Sequence, residues 1–560
     1  MRMRGLRIPP GRRAPAGRAV PAGRAVPAGR AVPAGRQDAL GRVLTSPRWR
    51  AALAVAAGAL PALAFPAPAL WWIAYVALVP WMLLIRTART GRRAALDGWL
   101  GGLGFMIAVH HWLMPSLHVF IVVLAGLLGL LWAPWGWLVR LMLARTPSRG
   151  RAAAALAVVP SGWLMVELVR SWEGLGGPWG LLGASQWQVD AALRVASLGG
   201  VWLVSLLVVA VNTAVTVLVA VPSVRAVAVA GVTVCALTMG SAWLWVRSPQ
   251  PTGEVRVAVV QPGVINGVGG AERRVARGEE LTRELAGRDV DLVVWGESSV
   301  GADLAARPDL ARRLAALSRE VGAEVLVNVD ARRSDVPGIY KSSVLIGPQG
   351  PTGDRYDKMR LVPFGEYVPF RSALGWATSV GKAAAEDRRR GERPVVMAVG
   401  DDGLRLGPLV CFESAFPDMS RHLARGGAQL LVAQSATSTF QDSWAPGQHA
   451  SLAALRAAET GRPMVHATLT GVSAVYGADG DRIGAPLGTE RSASAVYDIP
   501  LTDATTPYAR LGDWPVYAAL AVLAGLCAAE AAGSFRRRPG PGRPVPPART
   551  VRASAGRPGR

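Results

Sequence analysis

The chain has 560 residues, of which 51% are hydrophobic and 18% charged, and it contains 20 tryptophans. This composition is typical of a membrane protein with aromatic side chains at the lipid interface, and it argues against a soluble enzyme. The net charge of +24 would suit a nucleic-acid-binding protein, but residues 1–50 and 534–560 carry +11 and +8 of it and no binding motif accompanies them, so we expect no nucleic-acid partner.

Both ends of the chain are basic tails. Residues 15–36 repeat the sequence Pro-Ala-Gly-Arg-Ala-Val. Proline and glycine every few residues prevent both helix and strand, and a six-residue repeat without an apolar face cannot stack into a solenoid. We therefore predict disordered cytoplasmic tails at residues 1–50 and 534–560.

Eight apolar segments between the tails are predicted to cross the membrane. Most of them approach the roughly 20 residues that cross about 30 Å of hydrocarbon. Seven form a predicted membrane domain at residues 51–246, and the eighth follows the polar region. The segments lie at residues 51–65, 67–86, 95–114, 117–143, 151–170, 195–222, 225–246 and 514–533.

The charges between these segments predict their orientation. Arginines precede the first span and follow the second, fourth, sixth and eighth spans, whereas the turns after the first and third spans carry no charge. Positively charged connections are retained in the cytoplasm. We therefore expect a multi-pass protein of the cell membrane with both termini cytoplasmic and residues 247–513 on the extracytoplasmic side.

The extracytoplasmic region alternates predicted strands and helices, which indicates a layered α/β domain at residues 247–513. Amphipathic patterns predict helices at residues 271–288 and 308–321. Apolar runs predict strands at residues 255–260, 290–295, 324–328, 343–346, 404–410 and 429–433.

Cys411 is the one cysteine outside the apolar segments, because Cys235 and Cys527 lie within predicted spans. A single thiol excludes a disulfide within the polar region. Free cysteines are often buried packing residues, but this one directly follows an apolar strand. A thiol in such a place becomes a nucleophile when a base or a cation lies nearby.

Two further residues follow predicted strands in the same way. Glu297 comes just after the strand ending at Trp295, and Lys358 lies in a loop beyond the strand at residues 343–346. We expect them to meet Cys411 at one edge of a sheet. Glu297 would then take the thiol proton and Lys358 would stabilise an oxyanion.

These three segments resemble the nitrilase, or carbon–nitrogen hydrolase, superfamily, whose members share a Glu-Lys-Cys trio. More narrowly, three stretches resemble apolipoprotein N-acyltransferases. They are residues 358–369 (Lys-Met-Arg-Leu-Val-Pro-Phe-Gly-Glu-Tyr-Val-Pro), 455–463 (Leu-Arg-Ala-Ala-Glu-Thr-Gly-Arg-Pro) and 506–514 (Thr-Pro-Tyr-Ala-Arg-Leu-Gly-Asp-Trp).

The resemblance implies a nitrilase-like αββα sandwich beside a membrane domain of about eight spans. It also implies supporting or substrate-binding roles for Glu366 and Glu413, which would orient the lysine and shape the pocket, and for Phe412, where the family commonly has tyrosine. Gly296 stands where a proline is frequent, a further departure from the family pattern.

The implied activity is transfer of a fatty acyl group, through a thioester on Cys411, from a membrane phospholipid to the N-terminal amine of a diacylated apolipoprotein. The resemblance implies no cofactor, and we expect no metal and a monomer. Three alternatives stay open. The first is a membrane-bound amidase or other hydrolase with water as the acceptor, and the second is a paralogous acyltransferase with a different amine acceptor. The third is a non-enzymatic transporter or scaffold with a degenerate nitrilase domain, which the intact Glu297, Lys358 and Cys411 argue against.

Glu167 and Arg170 are the charged residues that stand out within the spans. They lie three residues apart on one face of the fifth span, near its predicted outer end. Charged residues in a membrane are costly and are usually paired or functional. We favour a structural ion pair between helices slightly over a functional role.

Overall fold

The computed structural model describes residues 46–375, 384–401 and 403–536. The predicted tails fall almost entirely outside these residues, so their predicted disorder stays a prediction. The described residues form a helical half, residues 51–246 with the C-terminal helix Trp514–Arg536, and an α/β half, residues 253–511.

The helical half contains four helices that are long and apolar enough to cross a membrane: Arg149–Arg170, Asp190–Ala220, Pro222–Trp245 and Trp514–Ala532. A fifth candidate is a helix pair bent by 42°. The remaining helices here are Pro47–Ala59, Val79–Arg86, Gly91–His110, Met114–Leu117 and the bent pair, Phe120–Gly129 with Trp132–Leu143.

The predicted presence of several apolar helices is therefore confirmed, while the number eight stays a prediction. The first two predicted spans contain interrupted helices. Short 3₁₀ turns, Leu60–Ala64 and Trp71–Tyr75, stand between their α-helical parts, and Pro61 occupies the first of these turns. Proline cannot donate the backbone hydrogen bond that would continue a helix, which explains the first of these breaks.

Tryptophans and glycines pack the interior of the helical half. Trp81, Trp135 and Trp163 are buried and contact one another edge to face, with ring centroids 5.0–6.1 Å apart. Gly98 packs so closely that a Cβ there would lie 2.4 Å from the carbonyl oxygen of Trp132. Such small residues allow helix backbones to approach in a membrane, where apolar burial alone does not drive helix association.

The α/β half consists of two six-stranded sheets. The first has the strand order β12-β1-β2-β3-β4-β5, and the second has the order β11-β10-β9-β8-β7-β6. The strands are β1 Gly253–Gln261, β2 Leu292–Trp295, β3 Glu324–Arg332, β4 Ile339–Gly347, β5 Gly350–Asp357, β6 Met397–Val399, β7 Leu404–Val410, β8 Leu430–Ser435, β9 Met464–Thr468, β10 Ser473–Tyr476, β11 Arg482–Leu487 and β12 Ala493–Leu501.

The central strands of each sheet run parallel and the outer ones antiparallel, so both sheets are mixed. Short and long helices complete this half. Their bounds are Gly270–Arg283, Pro308–Val321, Arg371–Leu374, Pro417–Arg425, Ala445–Thr460 and Pro507–Leu511.

Side chains of the first sheet alternate between two apolar cores, as the period of a strand requires. Val257, Leu292 and Leu326 belong to the core shared with the second sheet. Their neighbours Ala258 and Val293 belong to a separate core with helices Gly270–Arg283 and Pro308–Val321. This layering confirms the predicted nitrilase-like sandwich.

The two remaining family-like stretches meet at a break in a long apolar helix of the helical half. Helix Asp190–Ala220 is interrupted at Gly199 and Gly200, where Gly200 has φ +68°. The Glu459 carboxylate accepts a hydrogen bond from the Val201 amide at 2.6 Å, and the Tyr508 ring packs on Gly200. These stretches therefore attach the α/β half to the helical half.

Candidate active site

Glu297, Lys358 and Cys411 follow strands β2, β5 and β7. Strands β2 and β5 belong to one sheet and β7 to the other, so these residues lie between two sheets. The sequence had instead predicted that they meet at one edge of a single sheet. The sequence also missed β5, which lies between β4 and Lys358. Its sequence, Gly-Pro-Thr-Gly-Asp-Arg-Tyr-Asp, has no apolar alternation to reveal it.

Close backbone packing fixes the position of Glu297. A Cβ on Gly296 would lie 1.9 Å from the backbone nitrogen of Leu469, so only glycine fits at that position. The Glu297 amide donates to the Ser435 carbonyl oxygen at 3.1 Å, which joins the end of β2 to β8 across the sandwich. The Glu297 side chain is buried.

Cys411 occupies a sharp turn. Its φ is +53°, in the left-handed region, and a five-residue 3₁₀ turn begins at this residue. That conformation costs a non-glycine residue about 1–3 kcal/mol, which the surroundings must offset. The carbonyl oxygen of Cys411 accepts hydrogen bonds from His449 Nε2 at 3.0 Å and from Ser414 Oγ at 3.1 Å. Burial lowers the pKa of His449 to about 4, so the ring is neutral at pH 7 and acts as a donor.

Lys358 is fully buried between two carboxylates. Its Nζ lies 2.8 Å from Glu366 Oε1 and 3.3 Å from Glu297 Oε1. The other oxygen of Glu366 accepts a hydrogen bond from the Val362 amide at 2.9 Å, which closes the loop after the lysine. Glu366 therefore contacts the lysine directly, and the orienting role that the family resemblance implies for it stays a prediction.

Glu413 fastens the lysine loop to the cysteine strand. Its Oε1 accepts from the hydroxyl of Tyr356 at 2.8 Å and from the amides of Met359 and Arg360 at 2.7 and 3.0 Å. Its Oε2 accepts from the Val410 amide at 2.7 Å. The carboxylate thus shapes the site through the backbone on both sides of it.

Lys341, on β4, is a residue that the sequence analysis missed. Its Nζ lies 2.7 Å from Glu297 Oε1 and 2.9 Å from Glu366 Oε1. A lone lysine in an otherwise apolar and hydroxyl-bearing strand was the available signal. Its partners are 44 and 25 positions away in the chain, so no local pattern could identify them.

The surroundings of the site shift the pKa values of Cys411 and Glu297 in opposite directions. Burial and the charge of Glu297 raise the pKa of the Cys411 thiol to about 12, although Lys358 and Lys341 counteract this rise. Burial alone would raise the pKa of Glu297, but Lys341 and Lys358 together hold it below its usual range. At neutral pH the resting site therefore holds a protonated thiol and an ionised glutamate that can accept its proton.

Phe412 lies beneath a loop of the helical half. Its ring packs edge to face on Phe416 with centroids 5.0 Å apart, and a Cβ on Gly177 would lie 2.5 Å from it. In the same loop the Glu173 carboxylate pairs with Arg360 Nη1 at 3.1 Å and with Arg390. Phe412, which follows the cysteine, and Arg360, two residues after the lysine, therefore both contact the helical half.

Glu167 and Arg170 do not form the ion pair that the sequence favoured. Glu167 Oε1 accepts from Trp163 Nε1 at 2.9 Å and from the Leu182 amide at 2.7 Å. Arg170 Nη1 donates to the Trp179 carbonyl oxygen at 2.5 Å. Both charged groups bond to the loop that follows their helix, because its backbone groups need partners in an apolar environment.

Comparison with known proteins agrees with this architecture. Residues 256–506 match the family model for carbon-nitrogen hydrolases, and residues 57–214 match the model for the apolipoprotein N-acyltransferase N-terminal domain. The chain thus joins a domain of the carbon–nitrogen hydrolase type to a helical domain that matches the N-terminal domain of apolipoprotein N-acyltransferases.

Similar full-length proteins identify the family. The chain is 32% identical to an apolipoprotein N-acyltransferase of Azotobacter vinelandii, over 86% of this chain and 95% of that protein. It is 30% identical to the same enzyme of Photobacterium profundum, over 86% of this chain and 93% of that protein. The chain belongs to the apolipoprotein N-acyltransferase family.

Solved structures of the nitrilase superfamily match about half of the chain. An amidase from Nesterenkonia AN1 is 19% identical, covers 48% of this chain and 97% of its own, and gives a TM-score of 0.33. The strand order of the two sheets and the matched family model define the fold.

Proposed function

We propose that this chain transfers a fatty acyl group from a membrane phospholipid to the N-terminal amine of a diacylglyceryl-cysteine lipoprotein, with Cys411 as the nucleophile. The observation that carries the proposal is the ion pair of Glu297 with Lys358, whose charges both act on the Cys411 thiol, inside a chain that belongs to the apolipoprotein N-acyltransferase family.

In the first half-reaction, Cys411 Sγ attacks the ester carbonyl carbon of the phospholipid while Glu297 takes the thiol proton. The carbonyl oxygen gains negative charge, which Lys358 and nearby backbone amides stabilise. The ester C–O bond then breaks, Glu297 returns the proton to the departing oxygen, and a lysophospholipid leaves. The acyl group remains as a thioester on Cys411.

In the second half-reaction, the lipoprotein amine attacks the thioester carbonyl. Glu297 takes a proton from the amine, and Lys358 again faces the oxyanion. The C–S bond breaks, the thiolate regains a proton from Glu297, and the product is an amide. The hydrogen bond from Lys358 to Glu366, which the Val362 amide holds in turn, would keep the lysine in place for both steps.

We further propose eight membrane spans, with residues 51–246 and 514–533 in the membrane, residues 247–513 outside the cytoplasm and both termini inside. Two predicted cytoplasmic connections lie side by side, since Arg86 donates to the Leu143 carbonyl oxygen at 2.9 Å. Helix Arg149–Arg170 runs from that basic surface to the Glu173 loop. Its 22 residues extend about 33 Å at 1.5 Å per residue, about the thickness of the hydrocarbon layer.

This arrangement supports a site next to the lipid headgroups on the face opposite the basic connections. Because Phe412 and Arg360 contact the loop that begins at Glu173, the donor's acyl chain would enter from the side of the helical half.

The test uses purified full-length protein in detergent with a phospholipid that carries a labelled acyl chain. Without acceptor, a label on Cys411 that neutral hydroxylamine removes is expected, since hydroxylamine cleaves thioesters. With a diacylated lipopeptide, mass spectrometry should find the label as an amide at the peptide N-terminus. Release of free fatty acid without amide product would instead identify a hydrolase, and no label on Cys411 would overturn the thioester route.

A further inference from the structure

The carboxylates of the site bind two ammonium groups. Lys341 stands opposite Asp330 in the register of β3 and β4, and its side chain is only 12% exposed. From there its Nζ contacts the same oxygens, Glu297 Oε1 and Glu366 Oε1, that Lys358 contacts. The four groups form a closed ring in which positive and negative charges alternate.

Charge balance gives the second lysine a purpose. Two carboxylates and two ammonium groups sum to zero, whereas Glu297 and Glu366 with Lys358 alone would leave one buried negative charge without a partner. Buried, unpaired charges cost several kcal/mol and are commonly removed by proton uptake. A protonated Glu297 could not accept the thiol proton.

The ring also bears on the reaction itself. Lys358 cannot serve an oxyanion while it is the sole partner of two carboxylates, because turning toward the substrate would leave both of them unpaired. With Lys341 in contact with both carboxylates, the ammonium of Lys358 can turn and the carboxylates keep a cation. Asp330, 3.9 Å from Lys341 and itself paired with Arg388, holds Lys341 from its other side.

We propose that Lys341 is a positioning residue of the acyl-transfer site, whose ammonium keeps Glu297 and Glu366 ionised and in place while Lys358 turns to the oxyanion. This inference rests on the proposed function. It goes beyond the Glu-Lys-Cys trio by assigning the charge state of the base to a second lysine.

We expect the Lys341 ammonium to extend acyl transfer to lower pH. The groups that face Lys341 are Glu297, Glu366, Lys358, Asp330 with its partner Arg388, and the Cys411 thiol. Glu297 must be ionised to act, and Lys341 lowers its pKa. Without the ammonium the pKa of Glu297 rises, so the acidic limb of the rate profile moves to higher pH.

The test compares Lys341→Gln with Lys341→Arg, which keeps the charge. Arg332→Gln serves as the matched control. Arg332 lies on the neighbouring strand β3, and the substitution removes a positive charge from its exposed ion pair with Glu386. The rate of Cys411 acylation by labelled phospholipid is measured in single turnovers between about pH 5 and 9. For Lys341→Gln we expect a shift of the acidic limb by about one pH unit or more and about tenfold slower acylation below it. The Arg variant and the control should keep the wild-type profile.

A second measurement does not depend on acyl transfer. Iodoacetamide alkylation of the Cys411 peptide, followed by mass spectrometry across the same pH range, reports the thiolate alone. Loss of the Lys341 charge should slow alkylation of Cys411, whereas Arg332→Gln should leave its rate unchanged. Failure of the wild-type protein to acylate would count against the proposed function only, and the alkylation profiles would still decide the role of Lys341. Superimposable alkylation and acylation profiles for Lys341→Gln and wild type would overturn the inference, and so would an Arg variant that behaves like Gln while both remain folded by thermal unfolding.

Discussion

The two halves of the molecule bury charged side chains in different ways. In the helical half, Glu167 and Arg170 bond to a loop, and Glu167 Oε2 has no hydrogen-bond partner among the described residues. In the α/β half, Glu297 and Lys358 bond to other charged groups. Charges fixed by backbone groups hold a chain segment in one place, whereas charges paired with each other can exchange partners during a reaction. The difference separates a structural use of buried charge from a chemical one.

The largest expected effect is the loss of the nucleophile. Cys411→Ala should abolish acyl transfer, because no other cysteine lies in the α/β half. The hydroxylamine-labile label is the measurement, and Cys527→Ser, in the exposed part of the C-terminal helix, is the matched control. A labile acyl group on the Ala variant would show that the covalent intermediate forms on another residue. The charges near Cys411 could then no longer be contrasted, as chemical ones, with the structural charges of the helical half.

Next in size are the two charges that exchange partners. Lys358→Ala should slow acylation by about 10²–10³, the usual cost of removing one oxyanion-stabilising group. Glu297→Gln should slow it at least as much, because an amide cannot accept the thiol proton. Single-turnover acylation measures both rates, with Arg332→Gln again as the control. An effect below about tenfold for either variant would mean that its charge is structural, like those of the helical half.

The sequence predicted the part of this site that local patterns encode. Glu297 and Cys411 each end an apolar run, so the strand before each residue could be inferred, and with it the expectation that the two side chains lie close together. The approach of Lys341 to Glu297 depends on the register of β3 with β4, and that register is set by pairing between distant segments. The Glu167 loop contacts were missed for the same reason, since the sequence shows which charges lie in a span but not which backbone groups they meet.

A variant of Glu413 tests whether a buried carboxylate of the α/β half can have a structural role. Glu413→Ala would leave three backbone amides and the Tyr356 hydroxyl without their acceptor. Each buried donor left unsatisfied costs about 1–3 kcal/mol, so a marked fall in Tm is expected together with slower acylation. Glu254→Gln, at an exposed position on β1, should leave Tm unchanged. An unchanged Tm with lost activity would instead assign Glu413 to the chemistry.

A smaller effect is expected in the helical half, and it sharpens the comparison. Glu167→Gln keeps an oxygen that accepts from Trp163 and from the Leu182 amide, whereas Glu167→Ala loses both bonds. If these hydrogen bonds hold the loop, the Ala variant should lose about 2 kcal/mol of stability and the Gln variant less than half of that. Thermal unfolding in detergent measures the difference. Equal losses would mean that attraction to Arg170 is the dominant contribution.

The smallest expected effect lies where the two halves meet. Glu173 pairs with Arg360 and Arg390, whose side chains are 32% and 45% exposed, so water screens much of the attraction. Ion pairs of this kind contribute about 0–1 kcal/mol, and Glu173→Gln should therefore change Tm little. Because Arg360 also packs over the Phe416 ring next to Phe412, the variant should raise the phospholipid KM a few-fold while the rate of Cys411 alkylation stays constant. A changed alkylation rate would show that the helical half acts on the thiol itself, and the division into structural and chemical charges would then extend across the interface.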